Sequence, residues 1–197
     1  MNWYAQEEGA GYFKRSWVGK ELNPHSKEDM SYRERVIKRV RCYDLAGSIP
    51  SEAYPNPDWT VGVLIAKTKD EEYIIEDVVR WRKRSGESLQ EIVKVAKDDA
   101  KRFGKVRLYL PQDPAQSGLT ARMYHAKLFA SEGLAVKFIK VGTTKSKLVR
   151  FEPFANAAEN GIIRVVNAEW NTKFFSELEN FDGVSKTKKD DWYIGRL

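Results

Sequence analysis

The chain has 197 residues, which suits one domain with an arm and is long enough to bury one good core. Apolar residues make up 42% and charged residues 31%, with a net charge of +6, the profile of a water-soluble globular chain that attracts polyanions. The longest apolar runs, such as 61–66, are too short to span a bilayer, and no charged-then-apolar leader is visible. One cysteine, Cys42, cannot form an internal disulfide, so a reducing, intracellular home is expected. With only His25 and His125 beside it, the ligands of a structural zinc site are lacking.

Residues 1–30 carry aromatics and charges without sustained period and read as a linker or packed arm, with the domain proper over 31–197. Trp3, Tyr4, Phe13 and Trp17 are too many aromatics for a segment meant for water, so the arm is expected to dock. A first strand is expected over 34–44. A second over 59–68 is apolar on both faces and therefore central. The third, 72–81, follows a turn at Lys69–Glu71 and completes a hairpin.

A helix over 88–103 presents Leu89, Ile92, Val93, Ala96, Ala100 and Phe103 at helical spacing, opened by a Ser88–Glu91 capping box and stopped by Gly104. Then come a strand at 106–110 and a helix at 118–132 with Leu119, Met123, Ala126 and Ala130 inward. Next are a strand at 135–141, a helix at 145–160 bent or restarted at Pro153, and a strand at 162–166. A last helix, 169–181, stripes Trp170, Phe174, Leu178 and Phe181. Three antiparallel strands followed by helix-linked parallel strands is an α/β order, that of the ribonuclease H-like fold: a central mixed sheet flanked by helices.

Basic residues cluster at 33–41, 80–84, 145–150 and 186–189. Each cluster alone reads equally as a solvated surface. Four in a chain of positive net charge favour nucleic acid, and no amphipathic anchor helix accompanies them to favour a membrane. Against this basic background three acidic positions stand out: Asp44 ending the first strand, Asp113 just after the fourth, and the pair Asp190–Asp191. Carboxylates drawn together from distant segments repel unless a cation sits among them, and hard divalent ions are what phosphodiester cleavage uses. The plain alternatives are a strand-end turn at Asp44, an Asp-Pro turn at Asp113 and a helix N-terminal charge at Asp190–Asp191. The run GTTKSK at 142–147 lacks the glycine before lysine that a phosphate-binding loop requires.

Taken in order, RCYDLAGS, PDWTVGVLIAKTKDEEYIIEDVVR, LPQDPAQSG, VGTTKSKLVRFEPFANAAENGIIRVV, EWNTKFFSELENF and KKDD resemble the nuclease domain of tailed-phage large terminase subunits, over about residues 31–197. The resemblance implies a metal-dependent endonuclease that cuts double-stranded, concatemeric viral DNA during genome packaging, by a two-metal-ion mechanism with Mg²⁺ or Mn²⁺. It implies Asp44 as the ligand bridging both ions, Asp113 as the second, and Asp191 with Asp190 as the third. Asp58 would be an accessory acid, and Lys145, Lys147 and Arg150 would face the DNA backbone. In the full-length protein it implies an N-terminal ATPase domain, the small terminase subunit and the portal as partners, and the host cytoplasm as location. Met1 followed by linker-like sequence fits an excised domain.

The chain departs from the family pattern at Lys189, where histidine is usual, and at Ile194, where aspartate is usual. A junction resolvase or integrase type of ribonuclease H-like nuclease is the nearest alternative. A non-catalytic DNA-binding packaging module is the alternative that is not an enzyme.

Overall fold

The computed structural model describes residues 11–112, 116–140 and 147–181. Six strands form one sheet: β1 (Val36–Asp44), β2 (Thr60–Thr68), β3 (Tyr73–Trp81), β4 (Arg107–Gln112), β5 (Val136–Lys140) and β6 (Ile163–Val165). Four helices connect or follow them: α1 (Ser85–Phe103), α2 (Gln116–Ser131), α3 (Lys147–Glu159) and α4 (Asn171–Glu179). The expected succession β-β-β-α-β-α-β-α-β-α is the observed one.

The spatial order is β5-β4-β1-β2-β3-β6. β1–β2 and β2–β3 are antiparallel, while β1–β4, β4–β5 and β3–β6 are parallel. β2 is central, with every residue but Lys67 buried, as its two-faced apolar sequence requires.

One face of the sheet carries α1 and the end of α2, with Tyr43, Trp81, Leu89, Ile92, Val93, Leu108, Leu110 and Phe129 in one apolar cluster. The other carries α3 and α4, where Phe151, Phe154, Phe174, Phe175 and Leu178 pack on Val61, Val63 and Ile65. Phe13 and Val18 of the arm are buried in this second cluster, Phe13 stacked 5.8 Å from Phe154. Trp17 packs at its margin, and Trp3 and Tyr4 lie outside the described residues. Among the described residues no helix is long and apolar enough to cross a membrane.

Three local expectations are corrected. α1 begins at Ser85, not Ser88, because the Glu87 carboxylate accepts the Arg84 amide at 3.1 Å. Ser88 is instead an internal bridge: its hydroxyl accepts from Trp81 Nε1 at 3.1 Å and donates to the Lys83 carbonyl at 3.2 Å. Ala100 is exposed and Phe103 only half-buried, while Asp99, just before Ala100, takes the inward place.

In α2 the stripe Leu119, Met123, Ala126, Ala130 does not face the core. Leu119 and Met123 are 49% and 74% exposed, and Phe129 is the fully buried residue. Apolar side chains surround this helix, so their spacing alone did not choose a face. α3 runs through Pro153 as one helix; the missing amide falls in its second turn and does not end it.

Two polar groups cross the sheet. Arg41, 1% exposed, donates Nη2 to Asp99 Oδ1 and to Asp77 Oδ2, both at 2.7 Å, and Nη1 to the Gly62 carbonyl at 3.3 Å. Burial pushes the Asp99 carboxyl up, with Arg41 working against it. Glu76 is the extra residue where the β2–β3 register shifts, and the shift turns it to accept from Tyr32 Oη at 2.8 Å and Arg39 Nε at 2.8 Å.

Candidate active site at the carboxyl ends of the central strands

β1 and β4 lie side by side and parallel, but the chain leaves β1 toward β2 and β4 toward β5, in opposite directions. The crevice at their carboxyl ends is therefore a topological switch point, where open α/β sheets bind their ligands. Asp44 is the last residue of β1 and pairs with Val61. Arg41 and Tyr43 point to the α1 side; alternation turns Asp44 to the opposite face, with Val61, where it is half-buried.

Two contacts hold the chain on either side of Asp44. The Thr60 hydroxyl accepts from the Ala46 amide at 3.0 Å and donates to the Ala46 carbonyl at 2.8 Å, pinning the chain beyond Asp44 to the start of β2. The Tyr43 ring lies flat across Gly62, its cross-strand partner; a Cβ at Gly62 would come 2.3 Å from Tyr43 Cε1. Tyr43 is held further by the Trp81 ring at 6.0 Å, and burial pushes its phenol up, so the hydroxyl stays neutral.

Asp58 is exposed and lies two residues before Thr60, at the same end. The β1–β4 register pairs Cys42 with Tyr109, and carried forward it sets Asp44 level with Pro111. Gln112, buried, ends β4, and Arg122 Nη1 donates to its Oε1 at 3.4 Å. Asp113 is the next residue in sequence and lies outside the described residues, as do Lys145, Asp190 and Asp191. Lys147 and Arg150 occupy the first turn of α3, which the chain enters after leaving the carboxyl end of β5. Lys147 is exposed and Arg150 half-buried.

The structure thus brings Asp44 and Asp58 to one end. Among the described residues no three of His, Cys, Asp and Glu converge as a metal-holding group. The donors at this end are carboxylate oxygens, the type that suits Mg²⁺ or Mn²⁺.

Sequence reasoning missed Tyr43, Thr60 and Gly62 as the parts that set Asp44. The signal was present: a glycine inside the apolar run of a central strand marks a close approach. It also missed a stack of Arg80, Trp59 and Arg82, with the guanidinium carbons 4.5 and 4.1 Å from the indole ring.

The large terminase nuclease of thermophilic phage G20c with bound magnesium is similar in fold, with a TM-score of 0.51 and 14% identity over 79% of this chain and 80% of that one. The large terminase nuclease domain of Thermus phage P74-26 gives a TM-score of 0.45, with 15% identity over 73% of this chain and 63% of that one. The yeast mitochondrial Holliday junction resolvase gives 0.43, with 12% identity over 91% of this chain and 79% of that one. A comparison with curated proteins finds no significant relative. The fold is the ribonuclease H-like one that the order of strands and helices implies. Residues 41–192, most of the chain, match the terminase RNaseH-like domain family, and the chain belongs to that family.

Proposed function

We propose that the chain is a Mg²⁺- or Mn²⁺-dependent endonuclease acting on double-stranded, concatemeric viral DNA during packaging. The observation that carries this is the position of Asp44. It closes β1 at the switch point, beside the strand that leads into Asp113, in a chain of the terminase RNaseH-like domain family. Asp44 is the central ligand, Asp113 the second, and Asp191 with Asp190 the third. The ring of Phe181, just after α4, lies 4.3 Å from Phe151 in α3.

Two divalent ions held by these oxygens would supply an activated water and offset the charge on the leaving 3′ oxygen. The protein's own share is to hold carboxylates at fixed separations and to seat the backbone. Thr60 and the Tyr43–Gly62 contact do the first, and Asp58 stands at the margin of the same site. Lys145, Lys147 and Arg150 grip phosphates and read no bases, so little sequence preference is expected. An ATPase domain, the small terminase subunit and the portal are the partners proposed for the longer protein, and the host cytoplasm its place of action.

The test is nicking of supercoiled plasmid in Mg²⁺, in Mn²⁺ and in chelator, by the wild type and by Asp44→Asn. Loss of a ligand should remove several kcal/mol of barrier lowering, roughly a thousandfold or more in rate, with melting unchanged because the amide keeps the carboxylate's shape. Near-wild-type nicking by Asp44→Asn, or full activity in chelator, would refute the assignment.

A further inference from the structure

The sheet places a second group of side chains in line with Asp44. Asp44 pairs with Val61, and Val61 pairs with Arg80, so the three share one face and one row across β1, β2 and β3. Two strand spacings of about 4.8 Å put the Arg80 backbone roughly 10 Å from that of Asp44. Trp59 precedes Thr60 by one residue and Arg82 follows Trp81 by one, so both extend this face outward at the same end. Both guanidinium groups lie over the indole, at 4.5 Å for Arg80 and 4.1 Å for Arg82.

The two arginines differ in what their N–H groups do. Arg80 donates Nη1 to Glu177 of α4 at 3.0 Å, which anchors the stack to the helix behind it. Arg82 pairs with no carboxylate among the described residues. Its hydrogen bond there is a long one, 3.5 Å from Nη1 to Asn56 Oδ1, and its Nε is buried without a partner. Stacking engages only the flat face of a guanidinium and leaves its in-plane fork for bidentate contact with a phosphate. A structural role alone, pinning residues 56–59 to the edge of β3, needs the stack but not an unneutralised charge beside a carboxylate site.

We propose that Trp59, Arg80 and Arg82 form a phosphate-gripping shelf that positions the backbone of a DNA duplex over Asp44, with Arg82 making the contact and Trp59 and Arg80 holding it in place. The proposal rests on the nuclease reading above. Arg82 is a positioning residue: it meets the strand next to the scissile phosphate and fixes its distance from the carboxylates. Trp59 confers stiffness, since an aromatic ring limits the rotamers of a side chain stacked on it.

The experiment measures the affinity of a fluorescently labelled duplex of mixed sequence across a salt titration, in Ca²⁺ to withhold cleavage. It uses the full chain as wild type, Arg82→Ala, Arg82→Gln, Arg82→Lys and Trp59→Ala, alongside melting and steady-state cleavage in Mg²⁺. With one phosphate no longer neutralised, the log–log salt slope should flatten by about 0.9 in Arg82→Ala and Arg82→Gln, with melting retained in the Gln variant. Arg82→Lys should restore the slope but not kcat, because the point charge lacks the planar fork. Trp59→Ala should lower kcat more than it changes the slope.

A wild type that binds and cuts, with the slope unaltered in Arg82→Gln, overturns the shelf alone. A wild type with no salt-sensitive affinity for duplex overturns the nuclease reading and the shelf with it.

Discussion

Gly62→Ala isolates the contact that orients the end of β1. The added Cβ would lie 2.3 Å from Tyr43 Cε1 and 2.8 Å from both Cδ1 and Cζ, where ordinary contacts begin near 3.4 Å. The ring cannot rotate away freely, because it is 6% exposed and rests against Trp81. Overpacking of this kind costs about 1–3 kcal/mol, or roughly 2–4 °C of melting temperature per kcal/mol in a domain of this size. Tyr43→Ala alone should cost about 3–5 kcal/mol through the cavity it leaves. In that background Gly62→Ala has no ring to strike, so the double variant should be no less stable than Tyr43→Ala. The coupling should therefore be about 1–3 kcal/mol and opposite in sign to the single effect. Urea unfolding of the four proteins of the cycle, followed by tryptophan fluorescence, measures it. A Gly62→Ala chain within about 0.5 kcal/mol of wild type, or a cycle with no coupling, refutes the reasoning.

Other parts of the molecule yield equally direct expectations. Asp99→Ala should cost up to about 3–5 kcal/mol in urea unfolding by leaving the buried Arg41 with only the Asp77 carboxylate to offset its charge, whereas the pair Arg41→Met with Asp99→Leu should recover part of that loss, since Asp77 is partly exposed and can turn to water. Burial lowers the pKa of His125, so the unfolded chain binds its proton more readily. The contribution of His125 to stability should be complete above the ordinary histidine range and lost as pH falls through about 6.5 toward its folded value, and His125→Gln should flatten the melting-temperature profile between pH 7.5 and 5. Replacing Lys145, Lys147 and Arg150 together by alanine should weaken duplex binding for all sequences alike and reduce the salt slope by about one unit for each phosphate left unneutralised, read by the same anisotropy titration.

The element order was legible because each strand and helix here carries its own period and punctuation. The apolar run 61–66 at the heart of 59–68 read as a strand buried on both faces, and it is. Gly104 and Gly161 both adopt positive φ at the ends of helices, where the sequence placed its stops. α2 was not legible, because a helix that is apolar on several sides is assigned its buried face by its neighbours, here Phe138 and the end of α1. Asp99 was hidden for a related reason. A charged residue at an inward position reads as surface until a distant partner in the sheet, Arg41, is known to meet it.

Asp44 was legible as a strand-end acid, and Asp58 only through the family resemblance. The Arg82 contact was not, since the run 80–84 shows charge without showing that Lys83 turns to Glu91 and Arg82 to Trp59.

The segment Asp58–Gly62 shows why a short motif can be legible before its reason is. Its residues do separate tasks within five positions. Asp58 stands exposed before the strand as the proposed accessory acid, Trp59 carries two guanidinium groups, Thr60 clasps Ala46, Val61 stands in the row with Asp44, and Gly62 admits the Tyr43 ring. The electrostatics of β1 follow the same division. On the α1 side one guanidinium, Arg41, meets two carboxylates, Asp77 and Asp99, so that cluster has no positive charge left to balance Asp44 three residues on. On the opposite face Arg80 is matched by Glu177, which leaves Arg82 as the cation of the shelf without a carboxylate partner among the described residues. At roughly 10 Å and an effective dielectric near 20, one such charge is worth less than about 2 kcal/mol to Asp44. That is too little to hold several carboxylates together at close range. The protein's own cations can guide a polyanion to this end of the sheet, and the carboxylates proposed to gather there would need divalent ions to offset their repulsion.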